Sequence, residues 1–115
     1  MITQLVLDLW RDGEKRATAG TPVRLADFGN DWAQVELPDG EVVDVEAAAV
    51  SSGVHSPEET LGILSGRSGV REGTLLKAAQ AGRLMARQSG GIWLSTLTAI
   101  DWAIKEGRIR EPQRN

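Results

Sequence analysis

The 115-residue chain contains no cysteine and a single histidine, His55. Disulfides, thiol chemistry and the usual zinc sites are excluded together. No apolar run approaches the ~18 residues that would span a bilayer. The opening MITQLVLDLW lacks a basic flank and carries Asp8, so no secretory leader is expected. Carboxylates are plentiful but scattered, no phosphate-binding loop is present, and nothing marks a carboxylate with a raised pKa. The expectation is a cytoplasmic, non-catalytic protein without metal or other cofactor and without a membrane partner.

What is present is divided. The net charge is −3, but residues 1–56 carry four Lys/Arg against ten Asp/Glu, and residues 57–115 carry nine against six. An acidic half joined to a basic half points to two units with different partners. Between them VSSGVHSP (Val50–Pro57) is small and polar, as domain boundaries tend to be. The expected organisation is α+β: an acidic β-rich unit over 1–50, a linker over 51–56 and a basic unit over 57–115.

In the first half DWAQVEL alternates, with Ala33, Val35 and Leu37 set against Trp32, Gln34 and Glu36, a strand with one buried face. LPDGE supplies turn chemistry, EVVDV the return strand, and TPVRLA a third strand with Val23 and Leu25 inward. A meander curled into a small barrel-like sheet is expected. Residues 2–10 fit two patterns. Ile2, Leu5, Val6, Leu9 and Trp10 have helical spacing, whereas Leu5, Leu7 and Leu9 alternate, and Asp12-Gly13 suits a hairpin turn. The helix is favoured. Acidic residues such as Asp39, Glu41, Asp44 and Glu46 form a solvated face or a surface for a basic partner.

The second half opens with Ser56-Pro57-Glu58-Glu59, which has the form of a capping box, with proline at the first helical position. Leu61 and Leu64 give this helix an apolar side. After a break at Ser68-Gly69, with Val70 as a buried plug, a second helix is expected over about 72–81. It turns Leu75, Ala78 and Ala79 inward, leaves Gly73, Leu76, Lys77 and Gln80 outward, and closes at Gly82. Residues 84–87 and 92–94 form a hairpin around Gly90-Gly91. A last helix spans about 96–106, with Leu97, Ile100 and Ile104 on one face, ending at Gly107.

The run GVREGTLLKAAQAGRLMARQSGGIWLS resembles the winged helix-turn-helix DNA-binding domain of excisionases and MerR-type regulators. Gly69-Val70, Thr74-Leu75, Gly82-Arg83-Leu84, Ala86-Arg87, Gly90-Gly91 and Trp93-Leu94 carry the likeness, over about residues 57–106. The resemblance implies a recognition helix in the major groove and a hairpin wing at the minor groove of double-stranded DNA.

On that footing Arg71, Glu72, Thr74, Lys77 and Gln80 are candidate DNA contacts on the helix, Arg83 follows it, and Arg87 and Gln88 belong to the wing. Arg71 has the fork to bond guanine, and Glu72 the acceptor for a cytosine amino group. Lys77 and Thr74 suit phosphate. Each has a plainer alternative: surface charge for Arg71 and Lys77, a favourable first-turn carboxylate for Glu72, a salt bridge for Arg83. Trp93 reads as core, and Trp102 as an interface or self-association residue. Arg71 cannot cap the helix, a loss of about 1 kcal/mol. The expected function is sequence-specific DNA binding, as an excisionase-like directionality factor or a transcriptional regulator. Self-association or cooperative binding on DNA is expected with it. A protein-interaction or assembly module, as in phage packaging, is the rival.

Overall fold

The computed structural model describes residues 1–50 and 56–112; the expected linker, apart from Ser56, and His55 lie outside them. Ile2, Thr3 and Gln4 are all buried and form an edge strand, β1 (Ile2–Gln4), in place of the favoured helix. The reason is non-local. β1 pairs antiparallel with β4 (Pro22–Phe28), setting Ile2 opposite Arg24 and Thr3 opposite Val23. Leu5 N–H then donates to the Thr21 carbonyl (2.9 Å). A helix here would bury one stripe, whereas this segment is covered on both sides.

Asp12 and Gly13, with φ of 51° and 79°, turn β2 (Leu9–Arg11) into β3 (Glu14–Ala17). Two successive left-handed residues match the twist of a two-residue hairpin. The expected meander follows. β5 (Trp32–Glu36) and β6 (Val42–Glu46) complete a sheet of order β1-β4-β5-β6, with Val23, Ala33, Val35, Leu37, Val43 and Val45 in its core. The sheet curls back on itself. Val6 N–H donates to the Ala49 carbonyl (2.8 Å), and Leu5 bridges Val50. Among the described residues it does not close into a barrel, so the barrel-like expectation reduces to an open, curled sheet.

The predicted order of helix, break, helix, hairpin and helix is observed, with two corrections: the first strand of the hairpin covers Arg87–Ser89 and not residues 84–87, and the first helix starts later. Glu59 and Thr60 form a short strand, β7 (Glu59–Thr60), paired with β9 (Ile92–Ser95), which also pairs with β8 (Arg87–Ser89). Helix α1 (Leu61–Ser68) therefore starts after Thr60, whose Oγ1 accepts from Ile63 N–H (3.5 Å). The Ser56 capping box does not form, because sheet pairing claims the residues it needs. Ser56 caps another helix instead. Its Oγ accepts from Thr98 N–H (3.2 Å) in the first turn of α3 (Leu97–Lys105), beside Thr96 Oγ1, which accepts from Ala99 N–H (3.0 Å).

Helix α2 (Glu72–Gln80) follows the predicted bounds. It packs Leu75, Ala78 and Ala79 on Leu64, Val70, Leu84 and Ile100. Both α2 and α3 end in the same hydrogen-bonded turn. Arg83 N–H reaches Ala78 O (2.8 Å) and Arg108 N–H reaches Ala103 O (2.8 Å), with Gly82 and Gly107 left-handed between. The helical core also takes in Ile2 from β1. The described residues form an α+β fold of three α-helices and several antiparallel sheets. No helix among the described residues is long and apolar enough to cross a membrane.

Candidate nucleic-acid interface

The inward stripe of α2 is fixed by its core, and that fixes what faces out. Arg71, Glu72, Gly73, Thr74, Leu76, Lys77 and Gln80 are all exposed. Arg71 occupies the N-cap in an extended conformation (φ −60°, ψ 139°), and its side chain makes no capping bond. Among the described residues neither Arg71 nor Lys77 enters an ion pair. The helix thus presents two uncommitted cations about one and a half turns apart, with the hydroxyl of Thr74 and the amide of Gln80 between and beyond them.

Glu72 lies apart from this face. Its carboxylate rests against α1, so close to Gly62 that a Cβ added there would sit 3.5 Å from Glu72 Oε1. That placement fits the first-turn reading better than an outward-reaching acceptor.

The hairpin β8–β9 stands beside α2 and turns on Gly90 and Gly91, with φ of 58° and 80°. Gln88, Ser89 and Ile92 at its tip are exposed. Arg87, at its base, is engaged elsewhere. Its Nε donates to Glu58 Oε2 (2.6 Å) and its Nη2 to Glu58 Oε1 (2.9 Å), a two-pronged pair with limited exposure. Glu58 Oε2 also accepts from Ile2 N–H (3.0 Å), so one carboxylate ties the hairpin, the segment before α1 and β1 together. Burial raises the Glu58 carboxyl, but the Arg87 hydrogen bond, the Ile2 N–H and the nearby positive charges outweigh it. The group is held below its ordinary value, and Arg87 is correspondingly raised, chiefly by the hydrogen bond to Glu58.

Arg83 is exposed and donates through Nη1 to the Arg108 carbonyl (3.1 Å). The candidate residues therefore separate into three sets. Thr74, Lys77 and Gln80 run along the exposed side of α2, with Arg71 exposed at its N-cap and Gln88 exposed on the hairpin. Glu72 and Arg83 flank them against other elements. Arg87 is a joint within the fold.

Sequence reasoning missed Glu58, which it absorbed into the supposed capping box. It also missed the company Leu76 keeps. Leu76, Ile92 and Trp93 line a notch of about 230 Å³ with Thr60, Leu61, Gly62 and the carboxylate-bearing Glu72, and exposed Ile63 lies on the adjoining helix. A larger cleft, about 470 Å³, lies between the two halves, with Arg24, Pro38, Trp93, Trp102 and Arg108 among its walls. Arg108 stacks on Trp102 (4.8 Å), and Arg24 Nη2 donates to the Ala86 carbonyl (2.5 Å) across the junction. Trp102 thus sits at the contact between the halves, one of the two places its position on α3 allowed.

In comparison with known proteins, the chain matches no family model, no curated protein and no solved structure.

Proposed function

We propose that the chain is a sequence-specific double-stranded DNA-binding protein whose second half acts as a winged helix-turn-helix of the excisionase/MerR kind. In this reading α2 is the recognition helix and β8–β9 the wing. The observation that carries it is the open face of α2. Among the described residues Arg71, at the N-cap, and Lys77 enter no ion pair, and with Thr74 and Gln80 they are exposed on a helix whose inward side is locked in a core, next to a hairpin with a bare glycine tip. Unpaired Arg and Lys supply the phosphate attraction that dominates affinity. Polar side chains on a groove-sized helix supply base contacts. Arg71, Thr74, Lys77, Gln80 and Gln88 are the proposed contacts. Arg83 is placed for a flanking phosphate, and Arg87 acts by holding the wing.

The proposal retains a basic DNA-binding unit (57–115) joined to an acidic unit (1–50), the latter offering a surface for self-association or for a basic protein partner. One such helix has a small footprint, so dimers or cooperative arrays are expected on DNA, in a compartment that contains it. Selection of bound duplexes from a random pool at near-physiological salt tests the proposal. An enriched sequence supports it, with direct repeats favouring an excisionase-like role and inverted repeats a regulator. Binding without enrichment that disappears as salt rises sinks it.

The rival reading, a protein-interaction or assembly module, is favoured by the exposed apolar residues Ile63, Leu76 and Ile92 around the notch. An Arg71→Ala/Lys77→Ala double variant separates the two. DNA binding falls steeply, with a salt slope reduced by roughly 0.9 for each phosphate contact removed. Capture by an apolar partner barely changes.

A further inference from the structure

Trp10 stands on β2 with 58% of its surface exposed. Among the described residues its hairpin, β2–β3, joins no other strand and forms a two-stranded sheet of its own. Charge also sets the hairpin apart. Three of the four Lys/Arg in residues 1–56, Arg11, Lys15 and Arg16, belong to it, in a half that carries ten Asp/Glu. Arg16 is held by Glu41, and Arg11 donates to the Asp44 carbonyl (3.3 Å). Lys15 stays beside the indole. It lies opposite Trp10 in register, with its Nζ 5.3 Å from the ring centre. Its ion pair with Asp8 (3.3 Å) is exposed on both sides. A pair of that kind contributes little in water and is readily exchanged for another carboxylate. The hairpin is thus an apolar knob with a cation at its side.

The second half carries a surface of the opposite kind. The notch between the start of α1, α2 and β9 has Leu61, Leu76, Ile92 and Trp93 in its walls, and Glu72 is the only charged residue that lines it. Among the described residues Glu72 enters no ion pair. Leu76 and Ile92 are 37% and 56% exposed, so the walls stand open to a partner. A volume of about 230 Å³ suits one large side chain. An apolar notch with an unpaired carboxylate calls for an occupant that is apolar at its tip and cationic beside it. Trp10 with Lys15 has that form, and Trp10 takes no part in the notch of its own chain. We propose that a second copy of this chain seats its Trp10 in the notch, with its Lys15 turned from Asp8 to Glu72. A tryptophan seated in a pocket is a common anchor of protein interfaces. Knob and notch share no residue, so the contact is heterologous and copies add head to tail. This locates the self-association expected above, and it holds with or without DNA.

The test is sedimentation velocity of the full-length protein, without DNA, over a range of concentrations. The wild type should associate as concentration rises. Trp10→Ala and Glu72→Lys should each weaken association, Trp10→Ala by about thirtyfold, as for a central aromatic at an interface. Mixing the two variants should restore a dimer and nothing larger, because the intact hairpin of one fits the intact notch of the other. Thermal melting confirms that both fold. Should Glu72→Lys lower the melting temperature, Ile92→Ser, at an exposed position, is a second notch variant for the same mixture. A wild type that stays monomeric up to its solubility limit overturns the inference. So does association that Trp10→Ala leaves unchanged, or that mixing fails to restore. None of these outcomes touches the DNA-binding proposal, which the selection of duplexes decides separately.

Discussion

Arg87 and Arg71 are the same residue type in different roles, and their surroundings separate them. Arg87 is paired through two nitrogens with Glu58, whereas Arg71 is exposed at a helix start with no capping bond. Hydrogen bonds to charged groups contribute about 1.5–3 kcal/mol each when partly shielded. Arg87→Ala should therefore lower the melting temperature and weaken the proposed DNA binding without changing its salt slope. Arg71→Ala should leave the melting temperature nearly untouched and flatten the slope. Equal salt slopes for the two variants would contradict this division. The Glu58 pair also predicts a pH dependence. Its folded carboxyl lies below the ordinary value of 4.5, so the stabilisation is fully present above that value and is lost as pH falls through the lower folded one. Glu58→Gln should remove this part of the acid sensitivity and destabilise the protein by about 2 kcal/mol at neutral pH. Urea melts of both proteins across pH 3–7 measure it.

At the scale of elements, the start of α1 shows how a local signal loses to a distant one. Ser56-Pro57-Glu58-Glu59 has every feature of a helix start, yet Glu59 and Thr60 pair with Ser95 and Leu94. Thr60→Ala should then cost α1 about 1 kcal/mol of capping energy. Ser56→Ala should loosen α3 instead, where amide exchange of Thr98 and Ala99 would report it. Faster exchange at the start of α1 in Ser56→Ala would revive the capping box. Elements whose signals are local were legible in the sequence: the α2 stripe and its glycine stop, the hairpin on Gly90-Gly91, the alternation of β5. β1 was not, since what decides it is β4, some twenty residues on. The candidate site was legible in the same measure. The outward residues of α2 follow from its inward ones, but the diversion of Arg87 to Glu58 depends on a contact 29 residues away in sequence. No spacing within either segment announces it.

At the scale of the whole molecule, β1 is where the two halves meet. Ile2, in β1, lies in the helical core and Leu5, the residue that follows β1, lies in the sheet core, each 1% exposed and three residues apart. The Ile2 N–H bond to Glu58 and the Arg24 bond to the Ala86 carbonyl add polar ties across the same junction. Two cores that share one short segment, residues 2–5, resist opening one at a time, because freeing either one strips the segment that the other needs. Ile2→Ala removes buried methyl and methylene groups from the helical side only, a loss of about 2–4 kcal/mol for a fully buried isoleucine. If the segment couples the halves, that loss is felt throughout the chain. Protection of amides in β5, which Ile2 does not touch within its core, should fall by the same factor as protection of amides in α3. Native-state hydrogen exchange of the variant against the wild type resolves the two elements separately. Loss confined to α3 would mean that the acidic sheet unfolds on its own. The acidic half would then be a unit that opens by itself, and not the fixed body against which α2 and the hairpin are held for the proposed DNA contact.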